Sequence, residues 1–83
     1  MDKKTILIID DDYTGAKVVK EMLRDKGFDV LYAYNEKEGL QQLESALPDL
    51  ILLDLVLPDT SGFKIAQEIK TNPKYSQIPI IAI

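Results

Sequence analysis

The chain predicts an α/β domain of order βαβαβαβ, a mostly parallel sheet with helices on both faces. Two wholly apolar runs, residues 6–9 (Ile-Leu-Ile-Ile) and 50–53 (Leu-Ile-Leu-Leu), have the length and branching of strands buried on both sides. Between such runs, apolar residues recur at helical spacing. Strands that alternate with helical stretches imply parallel pairing through right-handed crossovers. No Gly/Ser linker or internal repeat divides the 83 residues, so one domain is expected.

Residues 6–9 open the sheet. Across 13–26, Val18, Val19, Met22 and Leu23 repeat at helical spacing, and Gly27 stands where a left-handed residue ends a helix. Residues 30–34 are β-prone. Asn35 with Glu38 three positions on reads as a capping box for a second helix that carries Leu40, Leu43 and Leu47 and is closed by Pro48. After the strand 50–53 comes a loop over 54–61, then Gly62 and a third helix with Phe63, Ala66 and Ile69 inward, stopped by Asn72-Pro73. Residues 78–83 form a last strand, with Pro79 tolerated near its start.

Composition narrows the function. Hydrophobic residues make up 46% and charged residues 29%, the balance of a folded globular domain rather than a disordered tail. A net charge of −4 with scattered lysines and arginines gives no reason to bind nucleic acid or an anionic membrane, and favours cationic ligands. Cysteine and histidine are both absent, which removes disulfides, thiolate metal sites and imidazole bases. The apolar stretch near the start is too short for a signal-peptide core and no run approaches a membrane span, so a cytoplasmic protein is expected.

Asp10-Asp11-Asp12 directly follows the first apolar run, and Asp54 directly follows the run 50–53. Adjacent acids repel unless a cation lies between them, and ligand crevices of doubly wound sheets lie outside the carboxyl ends of the strands. The four aspartates are therefore a candidate metal site. Simpler roles exist for two of them: Asp12 as the N-cap of the helix behind it, and Asp54 as a turn residue. Asp10, Asp12, Thr14, Gly15 and Glu21 also match the spacing of an EF-hand loop by letter, but a strand-like run precedes them where that motif needs a helix.

Residues 6–12 (Ile-Leu-Ile-Ile-Asp-Asp-Asp), 48–58 (Pro-Asp-Leu-Ile-Leu-Leu-Asp-Leu-Val-Leu-Pro), Ser61-Gly62-Phe63 and Ile78-Pro79-Ile80-Ile81-Ala82 resemble the response-regulator receiver domain of two-component signalling. The resemblance runs the whole chain and keeps the family order. It implies a flavodoxin-like doubly wound parallel sheet, strand order 2-1-3-4-5 in the complete family. Under it, Asp54 resembles the phospho-acceptor that takes a phosphoryl group from a phosphohistidine. Asp10 and Asp11 resemble the acidic pair that holds Mg²⁺, Asp11 directly and Asp10 through water, with Asp54 and the backbone carbonyl of Val56 completing the oxygen set. Leu57-Pro58 and Gly62 would fix the loop beside the acceptor. The implied partners are a sensor histidine kinase or phosphotransfer protein and a downstream output domain or effector.

The resemblance also implies a receiver cut short, 1–83, ending where the family places a Ser or Thr and before the fifth strand with its lysine and the last two helices. Neither Lys64 nor Lys70 stands where that lysine does. The expectation is an acid pocket that takes up phosphate poorly, and self-association through the edge strand 80–83. Two rival readings remain. A pseudo-receiver would serve only as a protein-binding scaffold. A phosphatase of the haloacid-dehalogenase type would need an acid two residues after its nucleophile, where Val56 stands and no proton can be moved.

Overall fold

The computed structural model describes residues 3–57 and 61–83. Strands β1 (Thr5–Ile9), β2 (Asp29–Ala33), β3 (Leu50–Leu53) and β4 (Ile80–Ala82) form one sheet in the order β2-β1-β3-β4, with every pairing parallel. Helices α1 (Tyr13–Asp25), α2 (Glu36–Ser45) and α3 (Gly62–Thr71) alternate with the strands. This is the doubly wound, flavodoxin-like arrangement expected. The chain leaves β1 toward β2 on one side and later returns to β3 on the other.

β1 pairs with β2 and β3 along its two edges, and helices on both faces of the sheet make it feed two cores. Leu7 and Ile9 pack with Leu43 of α2 and Ile65 and Ile69 of α3 on one face, while Ile6 and Ile8 pack with Ala16 of α1 on the other. Leu7, Ile8, Ile9, Leu43, Ile51, Leu53, Ile65 and Ile69 are essentially fully enclosed. Each such side chain contributes roughly 1.5–3 kcal/mol through the area it removes from water. A charge at any of these positions would unmake the sheet.

The helix ends follow the local chemistry of the sequence. The side chains of Asp12, Asn35 and Ser61 accept from the amides of Gly15, Glu38 and Lys64, so each helix begins on an oxygen that satisfies one orphan N–H. Glu38 reaches back one residue further than a strict capping box, accepting from the Tyr34 amide at 2.7 Å. Gly27 has φ +94°, the left-handed turn that releases the chain from α1 into β2.

Three apolar assignments differ from the sequence expectation. Phe63 is 69% exposed, and Ile65 takes the inward position beside Ile69. The reason is Gly62: a Cβ there would meet the Asp54 carbonyl and lie 2.6 Å from the Leu55 Cα, so α3 is seated through Gly62, Ile65 and Ile69, and Phe63 is turned away from the sheet. In α1 the contact face runs through Ala16 and Leu23, which leaves Val18, Val19 and Met22 exposed. α2 ends at Ser45, short of the exposed Leu47, because a residue before proline is pushed out of helical geometry. The last strand is also shorter than expected, three residues, with Ile78 buried in the turn before it.

Candidate functional site

The β1–β3 ladder continues one residue beyond the strands. Ile9 is in register with Leu53, the Asp54 amide donates to the Ile9 carbonyl at 2.8 Å, and the Asp10 amide donates to the Ala33 carbonyl at 3.0 Å. Asp10 and Asp54 therefore leave the sheet side by side, at the carboxyl ends of the two strands between which the winding reverses. Each carboxylate is then oriented by the amide two residues ahead. The Asp12 N–H donates to Asp10 Oδ1 at 2.9 Å, and the Val56 N–H donates to Asp54 Oδ1 at 3.0 Å.

Asp10, Asp11 and Asp54 each offer a carboxylate oxygen, and these atoms lie within 4.8 Å of one another. Asp10 and Asp54 are half-buried and Asp11 is exposed. Asp12 does not join them, because its carboxylate caps α1 on the Gly15 amide at 3.2 Å. The acidic run thus divides between two tasks. The EF-hand spacing dissolves in the same geometry, since Thr14, Gly15 and Glu21 all belong to α1.

Burial raises the pKa of Asp10 from 3.8, the Asp12 amide opposes the rise, and Asp54 followed by Asp11 adds to it through like charge. At an effective dielectric near 20, two carboxylates roughly 4 Å apart repel by about 4 kcal/mol. A cation among the three oxygens removes that cost. The donor set of the cluster is carboxylate oxygen alone, and the sequence has neither His nor Cys, which suits a hard dication such as Mg²⁺.

Of the other expected residues, Val56 contributes the amide already described and forms an antiparallel bridge with Ser61 that closes the loop after β3. Leu57 is buried in the core, while Pro58 lies outside the described residues. Lys70 donates to the Ile78 carbonyl at 2.7 Å and so ties α3 to the turn before β4, away from the acids.

Sequence reasoning missed Tyr32. Its hydroxyl donates to the backbone carbonyl of Asp10, and its ring meets Tyr13 edge-on with centroids 5.4 Å apart. Burial first, then the charges of Asp10 and Glu38, raises its pKa. Nothing local in residues 30–34 signals this contact, because it depends on the parallel register that sets Ile8 beside Tyr32.

The family model of the response regulator receiver domain matches residues 6–83, and the chain belongs to that family. The phosphate regulon transcriptional regulatory protein PhoB of Pseudomonas aeruginosa is 38% identical over 80 residues, covering 96% of this chain and 35% of that protein. The sensor histidine kinase CheAY of Helicobacter pylori is 34% identical over 80 residues, covering 94% of this chain and 10% of that protein. The crystal structure of the N-terminal domain of a response regulator receiver protein from Methanoculleus marisnigri superposes with a TM-score of 0.90 at 33% identity, over 94% of this chain and 63% of that one. The chain spans between 10% and 65% of the length of the curated relatives it matches. Among the described residues no helix is long and apolar enough to cross a membrane.

Proposed function

We propose that these residues form a phospho-accepting receiver of a cytoplasmic two-component system, with Asp54 as the acceptor and Asp10, Asp11, Asp54 and the Val56 carbonyl as the Mg²⁺ site. The observation that carries this reading is the convergence of the three carboxylates within 4.8 Å at the reversal point of the sheet. Bound Mg²⁺ would offset the like charge of Asp54 and an incoming phosphoryl group. An Asp54 carboxylate oxygen attacks phosphorus in line, the new O–P bond forms as the P–N bond of the donor phosphohistidine breaks, and the imidazole leaves. The Val56 amide holds the Asp54 carboxylate in the orientation for that attack. A sensor histidine kinase or phosphotransfer protein is the donor in this reading, and an output domain or effector the recipient of the signal.

Lys70, bonded to the Ile78 carbonyl, does not take the role the family gives its lysine. These 83 residues on their own should therefore be phosphorylated slowly. Titration with MgCl₂ followed by amide NMR shifts, on wild type, Asp54→Asn and Asp11→Asn, tests the site. Each substitution should weaken Mg²⁺ by at least about tenfold, the scale on which even outer-shell partners act. Mg²⁺ that binds all three proteins equally would overturn the metal assignment. Beryllium fluoride that fails to bind at Asp54 in the presence of Mg²⁺ would favour the scaffold reading instead.

A further inference from the structure

We infer that Tyr32 is a positioning residue for the Mg²⁺ site, holding the acidic turn of residues 10–13 at both of its ends. The inference rests on the receiver reading and adds to it a side chain from β2. The Tyr32 hydroxyl donates to the carbonyl of Asp10, where the turn begins, and its ring packs edge-on against Tyr13, where α1 begins. One side chain thus brackets Asp10, Asp11 and Asp12. The turn is otherwise held by the Asp10 amide on Ala33, the Asp12 amide on Asp10 Oδ1, the Gly15 amide on Asp12 Oδ1 and the Ala16 amide on the Asp12 carbonyl.

Three of those four contacts are internal to the turn and its helix, so they shape it without fixing it against the sheet. The Asp10 amide, bonded to Ala33, and the Asp10 carbonyl, bonded to the Tyr32 hydroxyl, are what tie it to β2. The placement of Asp11 depends on them. It is exposed, so little packing holds its side chain, and its carboxylate reaches Asp54 only as far as its backbone is set. A small drift of the turn would open the 4.8 Å cluster. Metal sites lose affinity steeply when the groups that orient their ligands are removed, even though those groups never touch the ion.

The test compares wild type, Tyr32→Phe and Tyr13→Leu in this chain. Tyr32→Phe keeps the ring and removes only the hydroxyl, while Tyr13→Leu removes the edge-on partner and keeps bulk. Mg²⁺ affinity is read from amide shifts of Asp11 and Val56 during MgCl₂ titration, and folding from metal-free thermal melts by circular dichroism. Tyr32→Phe should weaken Mg²⁺ by about tenfold, the low end of outer-shell effects, at saturable binding and with a cooperative melt retained. Tyr13→Leu should weaken it less. Unchanged Mg²⁺ affinity in Tyr32→Phe overturns the inference alone and assigns the tyrosine a purely structural role, even where the melting temperature falls. A wild type that takes up no Mg²⁺ overturns the receiver-site reading together with the inference.

Discussion

Asp10 is the residue at which the electrostatics of the site become a stability effect. Its pKa is raised in the folded chain, first by burial and then by Asp54 and Asp11, so the folded state holds its proton more tightly than the unfolded state does. The associated stability is fully present below 3.8 and is lost as pH rises through the raised value. Asp10→Asn cannot ionise, and its amide oxygen still accepts from the Asp12 N–H. Without metal, the melting temperature of Asp10→Asn should therefore gain on wild type as pH climbs from below 3.8 to neutrality, and saturating Mg²⁺ should shrink that gain. Melts at several pH values decide it: a difference that stays flat with pH would remove Asp10 from the account.

At the scale of elements, two glycines hold the frame for different reasons. Gly27 has φ +94° with open space where a Cβ would go, so Gly27→Ala is strained through its backbone alone and should cost about 1 kcal/mol. Gly62 seats the start of α3 on the Asp54 carbonyl and Leu55, which are backbone and have no rotamer to yield. Gly62→Ala should cost about 1–3 kcal/mol, the range of overpacking, and should also weaken Mg²⁺ because the displaced backbone belongs to Asp54 itself. Urea midpoints rank the two, and only Gly62→Ala is expected to move the metal titration. Asn35→Ala tests the second helix more simply. Loss of the bond to the Glu38 amide should cost about 1 kcal/mol without touching the site.

For the whole molecule, the consequence lies at the β4 edge. Ile81 and Ile83 are 50% and 55% exposed, and the face of the sheet that carries Leu50 and Leu52 has, among the described residues, α1 as its only helix, packed toward β2. β4 pairs with β3 on one side, and no strand among the described residues pairs with its other side. A short apolar strand with unpaired amides and carbonyls is a template for another chain. The 83-residue chain is expected to self-associate through it. Light scattering at micromolar concentration should return more than a monomer mass, and Ile81→Lys, which sets a charge on the edge strand, should shift the mass toward monomer. A monomeric wild type would end that expectation.

Sequence alone determined the order of elements, the helix start at Asn35, the left-handed stop at Gly27 and the candidacy of Asp10, Asp11 and Asp54, because each is written in local chemistry: apolar runs, side-chain caps, and acids placed after strands. It did not determine which acids meet. Asp12 stands in the same run as Asp10 and Asp11, and only the helix that starts behind it turns its carboxylate inward as a cap. Helical spacing likewise offers several apolar stripes, and packing chose Ile65 over Phe63 because Gly62 presses against the backbone of the preceding loop. Tyr32 had no signal at all. Its bond to Asp10, 22 residues away, exists only because β1 and β2 lie parallel and in register, and contacts of that kind are a property of tertiary pairing, which no local window of sequence contains.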